Sequence, residues 1–444
     1  MRALISERVV VDDRVRRAAV VIDGERIHEV IDPEALPDGM PREELGSLVL
    51  MSGLVDTHVH LNDPGRAEWE GFPTATSAAA SGGVTTLVDM PLNCIPVTTN
   101  ERALAQKRGA ADGRLDVDVG YWGGVVPAEV PSLAGLGKAG VLGAKAFMCH
   151  SGIDDFPASD EATLRAAMIA LRDAGVPLLA HAELEHALPA MDEDEDRACY
   201  RAWLERRPAS FEDRAIELLI RLCREIRCPV HVVHLSSAGA LPMIARAKDE
   251  GLPITCETCP HYLCITAESI PDRATHFKCA PPIRGADNRE ALWGGVLDGT
   301  IDFVVTDHSP CTPHLKGDDF VEAWGGIASL SLGLMSVWTE ASARGASVAD
   351  LSRWMSATPA RFAGLGAKKG RIAAGYDADL VLWDDASEHV VSASDLRFHH
   401  PISPYVGRAL KGRVRRTWLR GEAIFDGDDV ARGRGRELLH RGGT

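Results

Sequence analysis

The sequence predicts an α/β fold: a (β/α)8 TIM barrel over residues 51–370, with a small β-sandwich built from both chain ends, residues 1–50 and 371–444. Three patterns lead to this fold class. From residue 53 onward, short apolar segments alternate with longer, Ala-rich amphipathic ones, which is typical of repeated βα units. About eight apolar segments occur, the number that closes such a barrel. Near both chain ends, apolar and polar residues alternate between Gly and Asp turns, as in short antiparallel strands.

The apolar segments give the positions of the barrel strands. Each is short and rich in Val, Leu, Ile or Thr, as strands of a buried parallel sheet are. We expect strands at 53–60, 84–90, 115–124, 141–147, 176–182, 228–235, 252–258 and 301–307. Helices should fill the intervals between them. In one interval, EATLRAAMIALRDAG (161–175), Gly175 stands where the C-terminal cap of a helix belongs.

Composition and charge argue against several classes of function. The chain has 444 residues, of which 45% are hydrophobic, enough for a large core and a smaller second domain. With 48 Lys and Arg against 64 Asp and Glu, the net charge of -16 opposes binding to nucleic acid or to an anionic membrane. No apolar run approaches the roughly 18 to 20 residues that span a bilayer, and charges stand where a signal peptide needs its apolar core. We therefore expect a cytoplasmic protein with a small-molecule partner.

Three features resemble sites but have plainer interpretations. The ten cysteines lie mostly in apolar segments, where Cys packs as a small hydrophobe, so a disulfide scaffold is not expected. Cys256 and Cys259 form a lone CxxC, and a zinc knuckle is disfavoured because no second CxxC or HxxxH completes four ligands. The acidic run DEDED (192–196) is interpreted as a solvated loop or helix end.

The segment GLVDTHVHLNDPG (53–65) carries the first candidate metal ligands. His58 and His60 stand two residues apart at the end of an apolar run, so in a strand both side chains point to the same face. Such a pair suits a metal ion, although two solvated histidines at a strand end would give the same pattern. The choice depends on whether other strands supply partners.

Other strands do end in residues that could bind a metal. Chemistry in a TIM barrel lies at the C-terminal strand ends, and His181, His234 and Asp307 stand at three of them. Lys145 fits if its amine captures carbon dioxide, because a carbamate is an anionic ligand that can bridge two cations; a lysine reaching out from the strand end is the alternative. Four histidines, a carbamate and an aspartate suit two divalent ions about 3.5 to 4 Å apart. His231, three residues before His234, should face the other way and be packed or on the surface.

These residues and several motifs resemble the amidohydrolase superfamily, and within it the cyclic amidohydrolases: allantoinases, hydantoinases (dihydropyrimidinases) and dihydroorotases. The resemblance runs essentially from end to end. Residues 57–98, which include PGR, WEGF and DMPLN, are very similar to the allantoinase segment. Further allantoinase-like motifs are CETCPHYL (256–263), KCAPPIR (278–284), TDHSPC (306–311), AWGGIASL (323–330) and SPYVGR (403–408).

Two positions favour allantoinases over the related enzymes. Dihydroorotases usually have Arg two residues after the second histidine, where it pairs with the substrate carboxylate; this chain has Asn62, which suits the neutral ureido group of allantoin. Hydantoinases typically have a substrate-binding Tyr after the bridging lysine, where this chain has Cys149 and His150. Hydantoinase or dihydropyrimidinase is the second choice and dihydroorotase the third. A scaffolding protein that has lost its metal ligands is the non-enzymatic alternative, and the complete ligand set argues against it.

The resemblance implies a metal-dependent hydrolase that opens the ring amide of allantoin to give allantoate in purine catabolism. In the family, one metal ion is held by His58, His60 and Asp307, the other by His181 and His234, and both by the carboxylated lysine (N6-carboxylysine), here Lys145. Asp307 is the expected catalytic residue, which takes a proton from the attacking water and passes it to the leaving ring nitrogen.

The same resemblance extends to cofactors, partners and substrate contacts. The donor set suits Zn first, then Co, Mn or Fe, with carbon dioxide for the lysine. Relatives are commonly homotetramers, and no nucleic acid or membrane partner is expected. The expected substrate contacts are Asn93, Cys149, His150, Cys279, Trp324, Gly325 and Gly326.

Overall fold

The computed structural model describes residues 1–188 and 196–440 of the chain. Its strands are β1 (Arg2–Val11), β2 (Arg14–Asp23), β3 (Arg26–Ile31), β4 (Arg42–Glu44), β5 (Val49–Ser52), β6 (Leu54–Val59), β7 (Val84–Asp89), β8 (Asp118–Tyr121), β9 (Gly123–Val125), β10 (Ala144–Phe147), β11 (Leu178–His181), β12 (Val230–Val232), β13 (Ile254–Thr258), β14 (Phe303–Val304), β15 (Leu380–Val390), β16 (Ala409–Leu419), β17 (Glu422–Asp426), β18 (Asp429–Val430) and β19 (Glu437–Leu438).

The α-helices lie mostly between the barrel strands. They are α1 (Phe72–Ser81), α2 (Glu101–Ala111), α3 (Leu133–Lys138), α4 (Glu161–Ala174), α5 (Tyr200–Arg206), α6 (Ala209–Ile226), α7 (Leu241–Asp249), α8 (Pro260–Cys264), α9 (Ala286–Asp298), α10 (Gly333–Ala343), α11 (Val348–Ser352) and α12 (Thr358–Phe362). No helix of the described residues is long and apolar enough to cross a membrane. Of the acidic run at 192–196, only Asp196 lies among the described residues, and it is exposed.

Parallel strands form the predicted barrel. β6, β7 and β8 pair in that order, and β9 to β14 continue the series, with β8 and β9 as two parts of one barrel strand. The barrel closes where Val59 of β6 pairs with His308, which follows β14. There the His60 N–H donates to the His308 carbonyl oxygen at 2.8 Å. The closure brings the first and last strand ends together.

The segment 115–124, predicted as one strand, is divided in two. β8 pairs with β7, whereas β9 pairs with β10. Between them, the Trp122 N–H donates to the Asp89 carbonyl oxygen at 2.9 Å. A Cβ atom on Gly123 would lie 2.5 Å from a methyl group of Leu136, so a larger residue where β9 begins would have to displace that side chain. The interruption therefore marks the place where the strand changes neighbours.

Both chain ends contribute to one nine-stranded sheet, in the order β18-β17-β16-β15-β5-β1-β2-β3 with β4 beside β1. Consecutive residues of β1 belong to different apolar clusters, Leu4 to one and Ile5 to another, so both faces of the sheet are covered there. β19, near the C-terminus, pairs instead with β8 of the barrel. The domain limits near residues 50 and 371 stay a prediction.

The helix predicted around residues 161–175 is α4. It begins after Asp160, whose side chain accepts a hydrogen bond from the Thr163 N–H at 2.8 Å. It ends at Gly175, whose φ of 73° lies in the left-handed region that a glycine cap supplies. The predicted cap is confirmed.

A buried ion network joins the barrel to the terminal sheet. The Lys369 Nζ lies 2.6 Å from Asp118 of β8 and 2.7 Å from Asp379, which precedes β15. Arg420 also pairs with Asp118. All of these side chains are less than a tenth exposed, so each charge depends on its partners.

All ten cysteines are free thiols, and nine of them are buried. The Cys256 Sγ faces the Thr300 carbonyl oxygen at 3.3 Å, whereas Cys259 lies near His261 and Asp307. The two thiols of the CxxC therefore have different neighbours.

Candidate metal centre

The six side chains predicted as metal ligands converge at the C-terminal ends of the barrel strands. None of them is more than 6% exposed. They lie in or shortly after five strands: His58 and His60 at β6, Lys145 in β10, His181 in β11, His234 after β12 and Asp307 after β14.

Two of these residues have a backbone conformation that side-chain-bearing residues rarely adopt. The φ angle is 41° at His234 and 45° at Asp307, both in the left-handed region. Such conformations cost about 1 to 3 kcal/mol each and tend to occur at functional sites. Both residues lie just beyond the end of a barrel strand, where their side chains meet the other members of the cluster.

One part of the cluster is formed by His58, His60 and Asp307. The Asp307 Oδ1 lies 3.2 Å from the His58 Nε2 and 3.6 Å from the His60 Nε2. The candidate ligand atoms of all three lie within 4.8 Å of one another. The His60 Nδ1 donates to the Leu92 carbonyl oxygen at 2.7 Å, which leaves its Nε2 as the nitrogen that faces the carboxylate.

The other part is formed by His181 and His234. The His181 Nδ1 lies 2.9 Å from the His234 Nε2. The His234 ring is 5.3 Å from the His58 ring, so the two parts adjoin.

Lys145 lies within this cluster. Its Nζ is 3.1 Å from the His58 Nε2 and 5.1 Å from the centre of the Phe147 ring, which stacks on His181. Burial lowers the pKa of this amine, although the Asp307 carboxylate opposes the shift. In turn, burial raises the pKa of Asp307, against the effect of Lys145. A buried amine of this kind is suited to react as the neutral nucleophile.

Two buried carboxylates orient the histidines from behind. The Glu257 Oε1 accepts a hydrogen bond from the His58 Nδ1 at 2.5 Å. The Glu183 Oε2 accepts from the His181 Nε2 and from Arg207, each at 2.7 Å. Burial opposes the charge of Glu183, but Arg207 and His181 together outweigh it and hold the pKa at about 2. Each carboxylate fixes which ring nitrogen is free to face the centre.

The prediction for His231 was half right. The residue is fully buried and packed, with its ring stacked on Phe303 at 5.1 Å. It points into the barrel, however, where its Nε2 lies 3.1 Å from the Glu257 that contacts His58. The strand alternation does not extend to His234, because β12 ends at Val232 and the backbone turns left-handed at His234.

A cavity of about 530 Å³ opens above the cluster. Its lining includes six of the seven predicted substrate contacts: Asn93, His150, Cys279, Trp324, Gly325 and Gly326. Cys149 is not in the lining, and its Sγ accepts from Arg207 at 3.8 Å. Burial raises the pKa of that thiol to about 12. Cys149 is therefore a packed thiol beneath the wall of the cavity.

Several residues of the site were not found by sequence reasoning. The lining also includes Phe147, Trp203, Arg207 and Lys278. A signal existed for Glu183, which stands two residues after His181 just as His60 follows His58. Arg207 and Trp203 come from the region of α5, far from any strand end, and the sequence carries no comparable signal for them.

The donor set fits divalent cations. Burial lowers the pKa of the four cluster histidines, so their imidazoles are neutral and have a lone pair for a metal. Two buried polar atoms, the His234 Nδ1 and the Glu183 Oε1, have no hydrogen-bond partner among the described residues. Histidine nitrogens with carboxylate oxygens are the ligands of Zn and similar ions.

Comparisons with known proteins agree with this chemistry. The sequence model of the amidohydrolase family matches residues 49–424. The chain is 48% identical over 436 residues to an allantoinase of Streptomyces avermitilis, covering 98% of both proteins. It is 47% identical over 390 residues to an allantoinase of Saccharomyces cerevisiae, covering 86% of this chain and 84% of the yeast protein.

Solved structures give the same fold. The L-hydantoinase (dihydropyrimidinase) from Arthrobacter aurescens superposes with a TM-score of 0.91 at 28% identity, covering 99% of this chain and 100% of that one. The dihydropyrimidinase from Brevibacillus agri gives 0.90 at 27% identity, covering 99% of both. The match to the family model and the similarity to allantoinases over nearly the whole length show that this chain belongs to the amidohydrolase family, in its allantoinase branch.

Proposed function

We propose that this protein, a hydrolase of cyclic amides, opens the ring amide of allantoin to give allantoate, a step of purine catabolism. The observation that carries the proposal is 48% identity over 98% of both chains with an allantoinase. The two hydantoinase-type structures compared above are only 27% and 28% identical, although their fold is the same. The fold therefore gives the class of reaction, and the sequence favours the substrate.

Two divalent cations, Zn first and then Co, Mn or Fe, are the proposed cofactors. His58, His60 and Asp307 would hold one, His181 and His234 the other, and Lys145, carboxylated by carbon dioxide, both. The closeness of the Lys145 amine to the His58 Nε2, at 3.1 Å, supports the bridging role. Bound there, the cations would supply an activated water and polarise the substrate carbonyl.

Asp307 is the proposed proton carrier. It lines the cavity, so its carboxylate can reach substrate. As water oxygen bonds to the amide carbon, the carboxylate accepts the proton that the water loses. When the ring C–N bond breaks, that proton passes to the leaving nitrogen, and the product has a new carboxylate and an open ureido chain.

The residue at position 62, rather than the cavity lining, favours a neutral substrate. Asn62 stands where a dihydroorotase would have its arginine, and its amide donates to the Pro310 carbonyl oxygen at 3.2 Å. It is 1% exposed and does not line the cavity. The proposed substrate contacts are the six cavity residues Asn93, His150, Cys279, Trp324, Gly325 and Gly326. Cys149 lies beneath the cavity wall, where it contacts Arg207.

Turnover of four substrates tests the proposal. Protein purified with metal and bicarbonate is given allantoin, hydantoin, dihydrouracil or dihydroorotate, and kcat/KM is measured for each. We expect allantoin to be preferred and allantoate to be formed. A clear preference for hydantoin or dihydrouracil would instead assign a hydantoinase, and a preference for dihydroorotate would contradict the argument from Asn62.

Assembly and location are part of the proposal. A homotetramer is expected from the resemblance, and size-exclusion chromatography with light scattering measures it. A cytoplasmic location is expected from the sequence, and cell fractionation tests it.

A further inference from the structure

The loop of residues 321–326 forms one wall of the cavity, and all six of its residues are in the lining. It contains no helix or strand, so its carbonyl groups lack the partners that regular structure provides. Buried backbone carbonyls need hydrogen-bond donors from elsewhere. The groups that donate to these carbonyls therefore determine the position of the loop in the cavity wall.

Two lysines supply them. The Lys278 Nζ donates to the carbonyl oxygens of Val321 at 2.9 Å and Ala323 at 2.5 Å. The Lys316 Nζ donates to those of Trp324 at 3.0 Å and Gly326 at 2.7 Å. Four carbonyls within one six-residue loop are thus held by two ammonium groups, an arrangement called the lysine clamp below.

The charges of the lysine clamp have no other evident use. Among the described residues, no carboxylate forms an ion pair with either ammonium. Lys278 is 4% exposed, and its Nζ lies 4.1 Å from the centre of the Trp203 ring. Burial lowers the pKa of both amines. An amine donates two hydrogen bonds whether or not it is protonated, and its removal would leave two carbonyl oxygens of the loop without these donors.

The clamped loop is connected to the reacting centre. The Gly326 N–H donates to the Lys278 carbonyl oxygen at 2.8 Å, so loop and lysine are joined at both backbone and side chain. Gly326 also lies against Ser309, two residues after Asp307. Trp324, at the middle of the loop, packs edge-on against Trp69 at 5.1 Å.

We propose that Lys278 and Lys316 are positioning residues that hold the 321–326 loop against bound substrate. They thereby set the KM for cyclic ureides rather than the rate of bond cleavage. This inference deepens the proposed hydrolysis of allantoin and rests on it. Neither lysine acts on the reacting atoms; each acts through the backbone it holds.

The test compares Lys278→Met and Lys316→Met with Lys278→Arg, which keeps a charged donor. Methionine keeps most of the length and apolar volume of lysine but cannot donate. Lys248→Met is the matched control, because the Lys248 Nζ also donates to a carbonyl oxygen, that of Thr300 at 2.9 Å, but does not line the cavity. For each metal-loaded variant, KM and kcat for allantoin, metal content and hydrogen exchange of the 321–326 amides are measured.

We expect each Met variant at the clamp to raise KM about tenfold, as the loss of two hydrogen bonds implies, with kcat changed less than about threefold. Exchange at 321–326 should speed up by a similar factor while metal content stays at the wild-type value. Lys278→Arg should change KM and the exchange rate less than Lys278→Met does. Lys248→Met should leave both KM and the exchange rate of the loop unchanged.

Unchanged exchange in the loop together with an unchanged KM would overturn the lysine clamp, as would a fall in kcat alone. If Lys278→Met does not fold, Lys316→Met and Lys278→Arg decide the question. Should wild-type protein fail to hydrolyse allantoin, the proposed function fails, whereas hydrogen exchange still tests whether the two lysines hold the loop.

Discussion

The His58 Nδ1 lies 2.5 Å from the Glu257 Oε1, and both groups are fully buried. Burial raises the pKa of Glu257 to about 8, and the Lys145 amine opposes that shift. In its ionised form the carboxylate accepts from Nδ1, which leaves the lone pair of the neutral imidazole on Nε2. That Nε2 is the atom that faces Asp307 and Lys145. Glu257 therefore determines which nitrogen His58 presents to a metal.

We predict that Glu257→Gln weakens metal binding without unfolding the protein. The amide can still fill the space but no longer holds the imidazole with a charged acceptor, and loss of such partners typically costs 10- to 100-fold in metal affinity or activity. Titration with a metal-selective dye measures the affinity. Asp118→Asn is the control, because it removes a buried carboxylate far from the centre and should lower stability while leaving metal affinity unchanged.

We predict that Lys145 is carboxylated in the active enzyme. Protein loaded with metal in ¹³C-labelled bicarbonate should show a carbamate carbon signal by NMR. Lys145→Ala should lose this signal, together with bound metal and most turnover, because the bridging ligand is gone. Full metal content and normal turnover in Lys145→Ala would refute the bridge.

We predict that Asp307→Asn keeps the fold but loses about 10²- to 10⁴-fold in kcat, the usual contribution of a general acid or base. Asparagine has the same shape but cannot carry the proton. The matched control is Asp302→Asn at the other end of the same barrel strand, where the carboxylate pairs with Lys248. Steady-state kinetics on allantoin should separate the two, and near-normal turnover in Asp307→Asn would remove its proposed role.

The sequence was sufficient for the fold class and for the residues that end the strands. Alternation and apolar runs are local properties, so the barrel strands and the positions of His58, His60 and Asp307 could be predicted from spacing. The division of 115–124 could not, because it depends on which neighbour the strand pairs with on either side of Trp122.

Contacts between residues that are distant in the sequence could not be predicted from local patterns. The predicted orientation of His231 was wrong, because the left-handed backbone at His234 interrupts the strand alternation on which that prediction relied. Arg207 reaches Glu183 from a loop after α5, and only the folded structure shows that approach. The lysine clamp likewise joins residues that are separated in sequence and that local patterns do not relate.

We predict that Lys369→Met lowers the free energy of unfolding by about 3 to 5 kcal/mol at pH 7. The buried Asp379 loses its counter-charge, and Asp118 keeps only that of Arg420. Burial opposes the charge of Lys369, but Asp379 and Asp118 outweigh it and raise its pKa. Because the pKa of Lys369 is higher in the folded than in the unfolded protein, its ion pairs stabilise the fold fully below the unfolded value near 10.4. This stabilisation is lost as the pH rises through the folded value. The difference between wild type and variant should therefore shrink above about pH 10.4. Thermal unfolding at several pH values measures it, with the exposed Lys138→Met as a control expected to show no difference.

We predict that Gly326→Ala lowers kcat/KM far more than Gly325→Ala does. A Cβ atom on Gly326 would lie 2.2 Å from the Ser309 carbonyl oxygen, and the φ of 127° disfavours any side chain. A Cβ on Gly325 would meet its nearest atom, the Cys279 Cα, at an ordinary 3.8 Å. The first change must move the loop or the backbone that follows Asp307, whereas the second adds a methyl group to the lining. Kinetics on allantoin with circular dichroism as a check on folding decides it, and equal losses in the two variants would show that the close approach of Gly326 to Ser309 does not position the site.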